Sequence, residues 1–167
     1  MPRKLKKTYR PGGVGAMMDE YERAADEFKN LIKKITLKEF EKIVDTDTLD
    51  DDCRSVQTIV SHVINSGYGY ADYLRNYFSI PSTRPERKLL SKKEFFEQLS
   101  AMLVYTSDTL EGKWQLTDEE IQKAEIKVRW GSVYDIEQII EHAIVHILRH
   151  RRQVEKFAGK GKLKIKE

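Results

Sequence analysis

Residues 135–157 read DIEQIIEHAIVHILRHRRQVEKF, and the spacing of their apolar residues decides the fold. At roughly 100° per residue on a helix, Ile136, Ile140, Ala143, Ile144, Ile147 and Val154 point in one direction. Such a stripe must lie against other elements of the chain. The same stretch holds His142, His146 and His150, at i, i+4 and i+8. His150 falls roughly 50° from the apolar centre, His146 roughly 90° and His142 roughly 130°. The first two flank the buried stripe and the third leans toward solvent. One helical turn rises roughly 5.4 Å, so His146 and His150 reach a common ion, whereas His142 and His150, roughly 12 Å apart, do not.

Working outward, three more long stretches repeat this periodicity. Met17, Met18, Tyr21, Ala24, Ala25, Phe28, Leu31, Ile32 and Ile35 predict a helix that begins near Val14. Val56, Ile59, Val60, Val63, Ile64, Ala71, Leu74 and Phe78 predict another from Ser55 to Phe78, weakened at Gly67 and Gly69. Phe95, Phe96, Leu99, Met102, Leu103 and Leu110 predict a third after the capping pair Ser91 and Glu94. Thr36 with Glu39 opens a short helix over Leu37–Val44, and Thr117 with Glu120 opens one that runs to about Lys123. AEIKVRW (124–130) alternates weakly and reads as extended, Gly131 turns the chain, and Ser132 is the expected cap of the last helix.

Long amphipathic helices with short connecting helices predict an all-α chain, an antiparallel four-helix bundle over residues 14–157. The links 79–91 and 112–131 leave room for a non-standard helix order or a loop over one end. Basic tails, 1–13 and 158–167, flank the bundle and are expected to be solvated.

The charge agrees with that division. The formal net charge is +3, yet residues 1–13 contribute +5 and residues 158–167 contribute +3, so the body between them carries −5. A basic groove for nucleic acid is not part of the pattern, and nucleic acid is an unlikely partner. No apolar run reaches the roughly 18 residues of a membrane span, and the basic N-terminus is not followed by the apolar stretch of a secretory signal. Cys53 is the single cysteine, which excludes an internal disulfide and suits a reducing cytoplasm. The acidic run DTDTLDDD (45–52) lacks the glycine and terminal glutamate of an EF-hand and reads as a loop with a helix cap.

The fourth histidine, His62, flanks the stripe of the second long helix. Side chains at such positions on facing helices build the metal sites of helical bundles. His62, His146 and His150 are therefore the candidate metal ligands. Three imidazoles suit Zn²⁺ or Ni²⁺, with Fe²⁺ or Mn²⁺ as further candidates, and leave the ion its full +2 charge, which lowers the pKa of water or thiol. Ile147 stands where a zincin helix carries its glutamate base, so the spacing points to a mononuclear site without its own base.

Two motifs carry a resemblance: SVQTIVSHV (55–63), which gives His62, and HILRHRRQV (146–154), which gives His146, His150 and Gln153. With the helix order over residues 14–157, they resemble the DinB-like (YfiT-type) family of four-helix bundles. The resemblance implies a divalent metal on these three histidines and a small-molecule substrate. It implies transfer of a low-molecular-weight thiol onto electrophiles, or a hydrolase activity, and a homodimer. The chain departs from the family where it has Ile147 in place of a glutamate, and Arg151-Arg152-Gln153 in place of Arg-Gly-Gln. Arg151 and Arg152 are candidate anion-binding groups or a solvated flank. His142 is a candidate pocket residue or a surface one. Tyr73, Ser66 and Gln153 are the side chains near enough in sequence to complete the ligand shell. The competing readings are a non-catalytic binding or dimerisation module with a structural or absent metal, and an accessory to nucleic acid or membrane held through the basic tails.

Overall fold

The computed structural model describes residues 8–166. Among these the chain is mostly helical. The long helices are α1 (Gly12–Lys33), α3 (Val56–Tyr77), α4 (Lys92–Leu110) and α6 (Ile136–Gly159). The short ones are α2 (Leu37–Glu41) and α5 (Asp118–Gln122), with a 3-10 turn at Asp51–Cys53 and a hairpin of β1 (Ile126–Lys127) and β2 (Val133–Tyr134). No helix among the described residues is long and apolar enough to cross a membrane.

The long helices surround one core. α1 packs on α6 and α4, and α3 packs on α4 and α6, so α1 and α3 face each other across the interior. Contacts at their ends give the directions. Lys92, at the start of α4, bonds the carbonyls of Lys33 and Ile35 at the end of α1, while Gly15 N bonds Trp114 O beyond the end of α4. These two helices are antiparallel. So are α3 and α6, since Cys53 meets Gln153 and His62 meets His146. The other two pairs run the same way. Gln57 bonds Leu90 O, Tyr68 bonds Gln98 and Arg75 bonds Thr109 along α3 and α4, and Glu27 meets Arg151 along α1 and α6.

The uniformly antiparallel arrangement expected from the sequence is therefore corrected for two of the four neighbouring pairs. The cause is the 78–91 connection, which carries Pro81 and Pro85. It returns the chain to the beginning of α3, where Leu90 N donates to Ser61 Oγ at 2.9 Å.

Local chemistry explains the boundaries. Ser55, Ser91 and Thr117 each accept from the backbone N–H three residues on, and Thr58, Glu94 and Glu120 reach back. The expected cap at Ser132 is displaced by three residues: Asp135 accepts from Gln138 N and Gln138 reciprocates, because Val133 and Tyr134 are already committed to the hairpin. Thr36 accepts from Glu39 N, but the Glu39 carboxylate turns away to accept from Lys164 N at 3.0 Å.

That turn changes the picture of the C-terminal segment. Leu163 is buried, Ile165 bridges Ile35, and Lys166 N donates to Lys34 O. Residues 160–166 fold back on the end of α1 instead of trailing as a solvated tail. At the other end, the expectation for residues 1–7 lies outside the described residues. Arg10, placed in the N-terminal tail by its sequence, binds Asp19 and Glu22 of α1 at 2.6 Å each, and α1 starts two residues earlier than its apolar stripe.

The core is dry where α1, α3 and α4 meet. Phe28 and Phe95 pack edge to face at 5.8 Å, and Met18, Ile32, Leu74, Leu99 and Met102 are fully buried around them. Gly67 serves this packing. A Cβ there would collide with Met102 Sδ and come to 3.0 Å from the Tyr21 hydroxyl.

Candidate metal centre

The α3–α6 face differs from this dry core in carrying the histidines. His62 comes from the first half of α3 and His146 and His150 from the middle of α6, brought level because these helices are antiparallel. Each of the three offers a ring nitrogen, and these atoms lie within 4.8 Å of one another. His62 Nε2 and His146 Nε2 are 3.0 Å apart. Nitrogens on one tetrahedral zinc, with bonds of about 2.0–2.1 Å, stand roughly 3.3 Å apart, so a small outward motion admits an ion.

The rings are oriented from behind. His62 Nδ1 lies 3.0 Å from Asp52 Oδ2 and donates to that carboxylate, which leaves its Nε2 as an acceptor facing the other two rings. His150 Nδ1 lies 2.9 Å from Gln153 Oε1, an acceptor that places the proton on Nδ1 and turns Nε2 the same way. Asp52 is itself held by the Arg87 guanidinium. The chain Arg87–Asp52–His62 is the carboxylate–histidine pairing that fixes tautomer and raises ligand basicity in metal sites.

The electrostatics suit a cation. Burial, then the neighbouring His150 and His62, pushes the His146 imidazole down to about 3, and burial pushes His150 down as well. Both are neutral at physiological pH, the form in which imidazole binds a metal. Three convergent imidazoles, with His146 and His150 neutral and His62 and His150 oriented from behind, fit a divalent ion.

The structure brings together the three predicted ligands and leaves out the side chains considered for completing the shell. Gln153 is turned to His150, with Cys53 Sγ 3.8 Å from the same oxygen. The Tyr73 hydroxyl accepts from Arg129 N, 3.0 Å away. Ser66 lines a separate cleft one turn beyond His62. Ile147 is buried in the core, so no acid stands in its place. Arg151 pairs with Glu27 on α1 and Glu155 on its own helix, a strut between helices. Arg152 is on the exposed side.

His142 is not a solvated surface residue. It stacks on Trp130, 5.2 Å between centroids, and meets Tyr70 and Tyr134 at 5.2 and 5.8 Å. This aromatic group separates the histidine centre from the hairpin. Tyr70 bridges the two, with its ring 5.5 Å from that of His146.

Asp52 is the residue that sequence reasoning missed. The acidic run placed it in a loop, which is correct, but nothing periodic links it to a histidine ten positions on. Val44 N and Asp45 N both bond Arg54 O, closing the loop so that the 3-10 turn sits beside α3. The one signal in the sequence was the carboxylate's proximity to a capped helix that carries a candidate ligand. Comparison of the chain with protein-family models and with curated proteins gives no match.

Proposed function

We propose that the four long helices form a DinB-like bundle and that His62, His146 and His150 hold one divalent ion, zinc or nickel before iron or manganese, in a metal-dependent enzyme acting on a small molecule. The observation that carries this reading is the convergence of three imidazoles, two of which, His62 and His150, are held from behind by Asp52 and Gln153. Structural zinc sites are closed by four protein ligands, whereas sites that do chemistry keep a position open. Here Tyr73 and Gln153 make their contacts elsewhere and Ser66 lines the neighbouring cleft, which favours the open kind over a structural metal in a binding module.

A divalent ion on neutral ligands supplies positive charge that lowers the pKa of a thiol or water and so provides a nucleophile near neutral pH. The chain's own residues do the rest. Asp52 and Gln153 hold the His62 and His150 rings in register. Tyr70, whose hydroxyl burial pushes up to about 12, stays protonated, and its ring packs against that of His146. Ile147 and the core behind it exclude water from the inner side. Thiol transfer onto an electrophilic carbon is the reaction favoured by the motifs, with ester or amide hydrolysis as the second. The C–S bond forms as the leaving group departs with its bonding pair, and the thiol proton passes to water.

Elemental analysis of purified protein tests the first half: about one divalent ion per chain is expected, and no metal in either the isolated or the zinc-reconstituted protein would sink it. Conjugation of a small thiol to a chlorodinitrobenzene, measured with metal and after chelation, tests the second. The same preparation in light scattering tests the homodimer. The reading through basic tails is disfavoured by the C-terminal segment, whose backbone is pinned to Glu39 and Lys34.

A further inference from the structure

One turn beyond His62, α3 opens into a cleft of about 400 Å³. Its walls come from α3, the 78–91 connection that follows it and the β1–β2 hairpin, distant in sequence. Three cations line it, Arg84 from the connection and Lys127 and Arg129 from the hairpin, against one carboxylate, Asp72. Asp72 is already in use. It accepts from the Tyr105 hydroxyl at 2.6 Å and the Ser82 hydroxyl at 2.9 Å, and pairs with Arg84 Nε at 3.2 Å. Lys127 and Arg129 form no ion pair among the described residues, in a body that is acidic as a whole. Two unpaired cations of the hairpin converging with Arg84 on one concavity are what an anion site requires.

The floor adds an independent observation. Gly69 lies in the middle of α3, where glycine costs about 1 kcal/mol relative to alanine. Gly67, two residues earlier, is required by Met102 and Tyr21. Nothing in the core requires Gly69: a Cβ there would meet only Arg84 Nη1, at 3.5 Å. Its missing side chain leaves the floor open beneath the Arg84 guanidinium. The hairpin is held over the cleft by Arg129 N on the Tyr73 hydroxyl, and Trp130 is fixed by its stack on His142.

We infer that this cleft is the anion subsite of the enzyme, taking the carboxylate or phosphate end of its small-molecule substrate. The inference rests on the metal-centre reading for its relation to chemistry. Gly69 is seven residues from His62, roughly 10 Å along the helix, with Tyr70 spanning the interval. The substrate therefore carries its anionic group several bonds away from the atom that reacts. Arg84 and Arg129 suit the planar fork of a carboxylate or two phosphate oxygens, Lys127 adds a point charge, and Trp130 offers a face to an apolar body between the two ends.

Calorimetric titration of the full chain, with and without zinc, tests this using inorganic phosphate and succinate as probes and chloride at matched ionic strength as control. Saturable binding of either probe is expected, and the stronger of the two identifies the anion. Replacing exposed side chains in Arg129→Ala with Lys127→Ala should weaken it about tenfold or more, as loss of charge-assisted bonds does, with zinc content unchanged. Gly69→Leu should block the floor and abolish binding, while Arg152→Ala, exposed on α6 and outside the cleft lining, should leave it intact. Heat effects that follow ionic strength alone, or that survive both the double substitution and Gly69→Leu, overturn the inference. The two readings separate cleanly: anion binding without zinc uptake keeps the subsite and removes the metal, whereas zinc uptake without anion binding does the reverse.

Discussion

The two antiparallel helix pairs are built for different ends. Between α1 and α4 the contact is apolar, with Phe28 against Phe95 and Met18 and Met102 fully buried. Between α3 and α6 the contact is imidazole on imidazole, with ring centroids 4.9 and 5.0 Å apart and a buried His146. Burying a polar ring costs free energy unless its nitrogens are satisfied. Here the satisfaction comes from Asp52 and Gln153 outside the helix interface, and from the neighbouring imidazoles inside it. The dry pair holds the fold; the polar pair is free to be a site. If that division is right, substitutions in the first pair should change stability and those in the second should change metal binding.

Phe95→Ala should show the largest effect. It removes a fully buried ring and its edge contact with Phe28, and a loss of about 3–5 kcal/mol is expected in urea unfolding. Metal binding should persist under conditions where the variant remains folded. A variant that stayed stable but lost its metal would break the comparison at once.

Acid should act on the other pair. Between about pH 3, where burial holds the folded His146, and about 6.5, its ordinary value, the unfolded imidazole takes a proton that the folded one refuses. The unfolded state therefore gains protons, and the stability of the metal-free protein falls as pH drops through that window. Above it, this group contributes no slope. His150, pushed down for the same reason, adds in the same direction. Thermal melts of chelated protein from neutral to acid pH measure this, and His146→Ala should flatten the acid limb.

His146→Ala should also abolish stoichiometric zinc while the fold survives, since the residue belongs to the polar pair. His142→Ala is the matched control one turn away; it should keep the zinc and lose only the stack on Trp130. Equal metal loss in both would mean that the site had been drawn on the wrong histidines. A smaller effect is expected from Asp52→Asn. The amide keeps the shape but is a poorer partner for His62 Nδ1, so zinc affinity should fall about tenfold to a hundredfold with little change in the urea midpoint. An unchanged affinity would leave Asp52 as no more than a loop ornament.

Much of this was legible in the chain because helices declare themselves locally. Apolar residues at three- and four-residue steps marked all four long helices, and the pairs Ser91 with Glu94 and Thr117 with Glu120 marked two starts to the residue. The angular position of His62, His146 and His150 beside their stripes was enough to bring them together. What was not legible is long-range. The direction of α4 depends on where the 78–91 connection ends, and Asp52 reaches His62 through a loop closed by backbone hydrogen bonds. The cleft's cations arrive on a hairpin whose strands are two residues each, too short to show a period. Ser132 lost the cap to Asp135 for the same reason: a neighbouring hairpin, invisible in the local pattern, had already claimed the residues between.

The finest test of the division lies within a single helix. Gly67 and Gly69 were indistinguishable in the sequence, and each weakens α3 by about 1 kcal/mol relative to alanine. Gly67 faces the dry core, where an added methyl meets Met102 Sδ and the Tyr21 hydroxyl. Gly67→Ala should therefore destabilise, because displacing buried neighbours costs about 1–3 kcal/mol, more than the helix gains. Gly69 faces the cleft, where the methyl has only the Arg84 guanidinium at ordinary contact distance. Gly69→Ala should stabilise the protein by about 0.4–1 kcal/mol through the unfolded chain's lost freedom. Opposite shifts in the urea midpoint would show that one glycine is there for packing and the other against the interest of stability. Shifts of the same sign would mean that the two faces of α3 are packed alike, and the contrast between core and cleft would not hold along this helix.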